Sequence, residues 1–192
     1  MNLPENERKT LIGAPMSNTL ISKYFDGHAN IKSLEDISQM RTLGEVFNGG
    51  QFNHVVIFIA VSAPSNGHWV CMFINGQSLY YFDSYGDYPL QILDELAKDG
   101  KNLWRQDKNL LHLIRASKFK DTFFYNAYQY QEDGASIQTC GRFTTLTLVL
   151  NSIYVRQGRK FDLEMLNKIM TYWKNKFNKS YGEIAVYFVN EL

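Results

Sequence analysis

The strongest constraint on the fold lies mid-chain, where two extended segments flank an Asn75-Gly76 pair. Trp69–Ile74 is rich in aromatic and β-branched residues, and Ser78–Phe82 carries Leu79, Tyr80 and Tyr81. Asn-Gly between two such runs is the turn chemistry of a tight β-hairpin. A third run, Val55–Ser62, precedes them and ends in the turn residues Pro64-Ser65-Asn66-Gly67, so the middle of the chain reads as a sheet. The hairpin puts His68 at the start of one strand and Asp83 at the end of its partner. In an antiparallel pair those ends lie side by side, so the two residues are expected to be neighbours.

Around this sheet, short helices are expected at Asn18–Phe25 and Ser33–Met40, with Gly49-Gly50 as a break. Pro89–Lys98 reads as a helix with Leu90, Leu93 and Ala97 on one face and Gly100 at its exit. Leu110–Ile114 is compatible with a strand, and the aromatic segment Asp121–Asp133 fits no period. Cys140–Ile153 reads as a largely buried helix with Phe143, Leu146, Val149 and Leu150 inward and Thr139 as its N-cap. Asp162 precedes another helix, carrying Leu163, Leu166, Ile169 and Trp173. Ser180 to Glu183 forms a capping box before a last helix, although Ile184–Val189 also suits a strand.

The 192 residues suffice for one domain with a full core, and no repeat or linker divides them. The expected architecture is α+β: one domain over residues 1–192, with a mixed central sheet carrying His68 and Asp83 packed against the helix that begins at Cys140. Hydrophobic residues make up 45% and charged residues 20%, a soluble globular composition. With 20 basic and 19 acidic residues there is no field to attract nucleic acid. The longest apolar run, Val55–Val61, is too short to cross a bilayer, and the polar start of the chain lacks a secretory apolar region. Two cysteines imply a reducing compartment rather than a disulfide framework, and four His without metal-ligand spacing argue against zinc.

Cys140, His68 and Asp83 supply the three groups that thiol-based acyl transfer uses: a nucleophile, a base and a group that orients the base. A helix start and an imidazolium both favour the thiolate of Cys140. Gly141 removes bulk where a substrate carbonyl would approach. Each residue also has an ordinary reading: a buried thiol, a strand-end histidine, and an Asp of the turn Asp83-Ser84-Tyr85-Gly86. Cys71, inside a strand pattern, is assigned to the core. An oxyanion needs a second donor beside the Cys140 backbone N–H, and Gln131 is the first choice because its loop can curl over the thiol. Gln138 and Gln129 are the alternatives. Trp69 is a candidate for the substrate-binding wall and equally for ordinary core.

The ordered set His68-Trp69, Asp83 in Phe82-Asp83-Ser84-Tyr85-Gly86, Gln131 and Cys140-Gly141 resembles the cysteine proteases grouped with the adenovirus maturation protease and the SUMO-deconjugating Ulp-type proteases. The match spans about residues 55 to 153, looks most like the viral branch, and leaves residues 1–50 as a family-variable extension. Family glutamines usually stand six or seven residues before the cysteine, whereas Gln131 stands nine before. The resemblance implies a thiol endopeptidase that needs no cofactor. Its partner would be a protein substrate: a viral capsid or core precursor or, alternatively, a ubiquitin-like conjugate. It implies action in host-cell cytoplasm or a virus factory, with packaging in the virion. The adenovirus relative is strongly basic and DNA-activated. The near-neutral charge here predicts no nucleic-acid requirement, and no membrane partner is expected. A non-catalytic binding protein on the same fold, and an acyltransferase, are the readings from other classes.

Overall fold

The middle of the chain folds as the hairpin pattern dictates. In a computed structural model that describes residues 4–63, 65–101, 103–132, 134 and 137–191, the elements run as follows. Helices α1 (Glu5–Gly13) and α2 (Asn18–Lys23) precede strand β1 (Ile31–Ser33), and short helices α3 (Leu34–Ser38) and α4 (Leu43–Val46) follow it. Strands β2 (His54–Ala63), β3 (Asn66–Asn75) and β4 (Ser78–Phe82) come next, then α5 (Gln91–Lys98), α6 (Asn109–Arg115) and β5 (Phe123–Tyr125). Helices α7 (Cys140–Arg156), α8 (Leu163–Phe177) and α9 (Tyr181–Asn190) follow. Met1–Leu3 of the polar start, Pro64 of the predicted turn and Asp133 at the end of the aromatic segment lie outside the described residues.

The five strands form one sheet in the order β1-β2-β3-β4-β5. The β2–β3 and β3–β4 pairs are antiparallel, whereas β1 and β5 join the edges in parallel, which makes the sheet mixed and the fold α+β. The β3–β4 loop is Gly76-Gln77, closed by the Asn75–Ser78 pair, with Gly76 at φ 62°. A positive φ at the first central residue is what a two-residue hairpin loop of this kind demands.

Side chains alternate across the sheet and so feed two cores. Trp69, Cys71, Phe73, Tyr80 and Phe82 pack with α7, α8 and α9, while Val70, Met72, Leu79 and Tyr81 pack with α3, α4, α5 and α6. Helix α7 lies between β3 and α9 and is buried almost all round from Cys140 to Leu148. Its threonines fit because their hydroxyls are bonded: Thr145 donates to Gly141 O at 2.8 Å and Thr144 to Trp69 O at 3.2 Å. Val149, expected inward, is only half-buried.

Two local expectations change, and one open choice is decided for the helix. Leu110–Ile114 is helical, within α6, and its Leu and Ile side chains are all buried; a helix that short and that apolar carries no period to distinguish it from a strand. Ile184–Val189 belongs to helix α9, whose capping box at Ser180 and Glu183 is present. Strand β3 begins at Asn66, so His68 stands inside the strand rather than at its start.

Near His68 the sheet is irregular. The β2–β3 register slips between Ala60 and Ala63, and beyond the end of β1 the Gln106 amide takes the place of a neighbouring strand. It accepts from Ala60 N–H at 2.8 Å and donates to Ala60 O at 2.9 Å. Gly67 is required here by space, because a Cβ would lie 2.0 Å from Ile59 O. We therefore expect Gly67→Ala to lower the unfolding free energy by about 1–3 kcal/mol, the usual cost of overpacking. Gly44→Ala, whose methyl would meet only the Thr42 hydroxyl at 3.6 Å, serves as the near-neutral control. Urea titrations compare the two, and equal midpoints would contradict the steric argument.

Candidate active site

The two-residue period that separates the cores also aligns the site. His68 shares parity with Val70 on β3, and Asp83 shares parity with Tyr81 on β4, so both side chains leave the hairpin on the same face. The result is a hydrogen bond of 2.8 Å between His68 Nε2 and Asp83 Oδ1, with both residues buried. Asp83 also forms its own turn: Oδ1 accepts from Tyr85 N–H at 2.9 Å, and Gly86 N–H bonds Asp83 O at 3.0 Å. The turn reading and the His-orienting reading therefore describe the same residue.

Asn126, just beyond β5, fixes the backbone of Asp83. Its Oδ1 accepts from Asp83 N–H at 2.8 Å, and its Nδ2 donates to Asp83 O at 2.7 Å. It is buried, and no motif marks it in the sequence; its place becomes visible only when β5 pairs with β4.

Helix α7 packs on the opposite face, and its first residue reaches the end of the sheet where His68 stands. There Cys140 and the His68 ring line the same cleft and stand near enough for each to shift the other's titration. Because Nε2 is engaged by Asp83, the nitrogen left for sulfur is Nδ1. Burial by itself would lower the imidazole pKa of His68. The charge and hydrogen bond of Asp83, joined by those of Cys140, outweigh it and hold His68 well above its ordinary value. For Cys140 burial opposes ionisation, but the His68 hydrogen bond and charge, with the backbone N–H groups of Trp69 and Gly141, bring the thiol below its ordinary value. Cys71 is the internal contrast: fully buried near the Asp83 charge, its thiol is pushed well above the usual range.

Thr139 precedes α7 but does not cap it. It has helical dihedrals, its hydroxyl makes no cap bond, and that buried oxygen has no partner among the described residues. Its side chain faces the start of α9 at Gly182. Donors at the helix start are thereby left for the sulfur.

Cys140, His68, Trp69, Tyr85, Gln131 and Gln138 line one cleft of about 1250 Å³, together with the segment Pro15–Asn18. Gln131 is buried; its Oε1 accepts from the Ser84 hydroxyl at 3.1 Å and its Nε2 donates to the Tyr85 hydroxyl at 2.8 Å. Gln138 donates its backbone N–H to Ile12 O. Gln129 is exposed, donates to Gln131 O at 3.1 Å and lines a neighbouring cavity instead. Trp69 is only 4% exposed, lies against Phe58 with the rings tilted by 56° and donates Nε1–H to Met16 O at 3.0 Å.

The sequence gives no sign that the N-terminal segment belongs to this site. Alternate carbonyls of one stretch, Ile12, Ala14 and Met16, accept from Gln138 N–H, Arg142 Nη1–H and Trp69 Nε1–H at 2.9, 2.6 and 3.0 Å. Gly141 makes that approach possible, since a Cβ there would stand 2.7 Å from Met16 Cβ and 3.2 Å from Trp69 Cδ1. The space beside Gly141, expected to admit substrate, is thus filled by the protein's own Met16 and Trp69.

Among the described residues no group of His, Cys, Asp or Glu side chains is arranged to hold a metal ion, and no helix is long and apolar enough to cross a membrane.

No family model matches the chain. Uncharacterized protein V9 of Sputnik virophage is 26% identical over 147 residues, which is 76% of this chain and 82% of that protein. Among solved structures, the C-terminal Ulp1 protease domain in complex with Smt3, the yeast ortholog of SUMO, is similar at 13% identity and a TM-score of 0.38, covering 96% of this chain and 80% of that one. An ASFV protease is similar at 14% identity and a TM-score of 0.40, over 76% of this chain and 59% of that chain. The central domain of an uncharacterized Legionella pneumophila protein is similar at 14% identity and a TM-score of 0.34, over 100% and 97%. All are remote likenesses.

The opposite shifts of Cys140 and His68 both favour the state in which the thiol has lost its proton and the imidazole keeps its own. We expect iodoacetamide to label Cys140 with an inflection below the usual thiol range, and Cys71 only on unfolding. In His68→Ala the main opposing influence is gone and burial remains, so the inflection moves up. Mass-spectrometric labelling rates across pH decide; a free-thiol inflection in both proteins would contradict the ion pair.

Proposed function

We propose that this chain is a cysteine endopeptidase working through Cys140, His68 and Asp83, with Gln131 and the Cys140 backbone N–H as oxyanion donors. The observation that carries the reading is the His68 ring, held by the Asp83 carboxylate at 2.8 Å and facing one cleft together with Cys140. In that arrangement the Cys140 thiolate attacks the scissile carbonyl carbon, and the C=O π electrons move to oxygen. The His68 imidazolium then gives its proton to the leaving amine as the C–N bond breaks. In the second half, His68 takes a proton from water, the hydroxide attacks the thioester carbon, and the thiolate leaves. Asp83 keeps Nε2 engaged throughout, so that Nδ1 serves the sulfur.

Gln131 is preferred over Gln138 and Gln129 as the side-chain donor because its amide is held in the cleft by two hydroxyls. Only a long 3.4 Å contact to Ile137 O opposes redirection of its second N–H. Trp69 shapes the cleft wall chiefly by holding Met16. Residues 1–192 act as one catalytic unit in which the variable first 50 residues contribute a wall through Pro15–Asn18. The substrate is a protein, and a capsid or core precursor cut during virion maturation in the infected cell is the favoured class. The virophage relative supports this viral setting, as the Ulp1 domain's protein partner supports the alternative, a ubiquitin-like conjugate.

Incubation with a virion precursor and with ubiquitin-like fusions separates the two classes. Cys140→Ala and His68→Ala should abolish cleavage, and Gln131→Ala should lower kcat by about 10²–10³, the usual worth of an oxyanion donor. Cleavage that survives Cys140→Ala would sink the reading.

A further inference from the structure

Tyr85 follows Asp83 by two residues and is singled out by no motif, yet three of its groups meet the site. Its backbone N–H donates to Asp83 Oδ1 at 2.9 Å, the same oxygen that His68 Nε2 reaches at 2.8 Å. Its ring lies 5.1 Å from the His68 ring, tilted by 37°. Its hydroxyl accepts from Gln131 Nε2 at 2.8 Å. The side chain is half-buried and lines the cleft beside Cys140.

Each contact has a distinct physical effect. Sharing Oδ1 fixes the carboxylate rotamer, so the imidazole finds one acceptor direction. An aromatic face beside an imidazolium favours its charged form through the ring quadrupole. The Tyr85 and Ser84 hydroxyls hold the two ends of the Gln131 amide, and the Ile137 carbonyl at 3.4 Å, which can only accept, sets Nε2 as the end beside Tyr85. Gln131 cannot drift, because Tyr130 N–H and Gln131 N–H both bond Ser84 O, at 2.8 and 2.9 Å. Gly86 closes the arrangement: at φ 77°, with the Tyr128 carbonyl 2.9 Å from where its Cβ would be, it lets the 83–86 turn lie directly on the loop that carries Gln131.

We propose that Tyr85 is a positioning residue that couples the two halves of the site, its ring favouring the His68 imidazolium and its hydroxyl aiming the Gln131 amide. The oxyanion half of this inference rests on the endopeptidase reading; the imidazolium half stands on the thiol chemistry alone. The coupling predicts a division of labour within one side chain. Tyr85→Phe keeps the ring and the backbone N–H but strips Gln131 of its acceptor. Tyr85→Leu loses the ring as well.

The test compares the full chain with Tyr85→Phe, Tyr85→Leu, Gln131→Ala and the Tyr85→Phe/Gln131→Ala double variant. Thermal unfolding establishes that each variant is folded. The first readout is Cys140 labelling by iodoacetamide at acidic pH, which needs no substrate. Tyr85→Leu should slow it by at least roughly 2- to 5-fold, the worth a cation–aromatic contact has even when exposed, and move the inflection up, whereas Tyr85→Phe should match the parent. The second readout is peptide hydrolysis. Tyr85→Phe should lower kcat about 10-fold with KM unchanged, and the double variant should be no worse than Gln131→Ala, because residues acting as a unit are not additive. Parent-like labelling by Tyr85→Leu, or a double variant whose losses multiply, would overturn the proposal. Fast labelling of Cys140 without any peptide cleavage would instead overturn the endopeptidase reading, and the labelling comparison would still judge the ring of Tyr85.

Discussion

The hydrogen bond between His68 Nε2 and Asp83 Oδ1 is the contact on which the rest of the site depends. A carboxylate withdrawn from water is tolerated only if its oxygens are occupied and a cation stands near. At Asp83, Oδ1 receives both His68 and Tyr85 N–H, and Asn126 bonds the two backbone polar groups of the same residue. The charge so placed favours the protonated imidazole against the effect of burial, and the protonated imidazole in turn favours the Cys140 thiolate. Without Asp83, the largest influence that opposes burial at His68 would be gone.

A second constraint is steric. The start of α7, the indole of Trp69 and the segment Ile12–Met16 converge on one point, and the missing Cβ of Gly141 leaves room for them to meet. The carbonyls of Ile12, Ala14 and Met16 are bonded by groups within two residues of His68 or Cys140 in sequence. The N-terminal stretch is consequently part of the cleft wall, and its position is tied to that of the sulfur. Arg142, buried two residues after Cys140, contributes to this tie through Ala14, and burial holds its guanidinium below the ordinary arginine value.

Much of this was legible before folding, for identifiable reasons. The β3–β4 hairpin follows from Asn75-Gly76 and the runs on either side, and once the register is given, the period of two sends His68 and Asp83 to the same face. The caps of α8 and α9 are equally local, because Asp162, Ser180 and Glu183 bond backbone groups within three residues. Local rules failed where the signal was short or the partner distant. Leu110–Ile114 is too short and too apolar to show a period, and Thr139 has cap chemistry but turns to pack on α9. That the Gln131 amide meets Ser84 and Tyr85 is equally absent from the local sequence, because those partners lie more than forty residues away.

The sequence by itself determined the hairpin, the helix beginning at Cys140 and hence which three reactive groups were available, because strand period, turn chemistry and helix composition act over a few neighbouring residues. Tertiary structure alone decided that the sulfur meets the imidazole across the end of the sheet, that Asn126 and Tyr85 hold Asp83 and that Ile12–Met16 closes the cleft wall. These contacts join positions 43 to 128 residues apart, except for Tyr85, and no local preference of the chain encodes which distant backbone group a buried side chain will find.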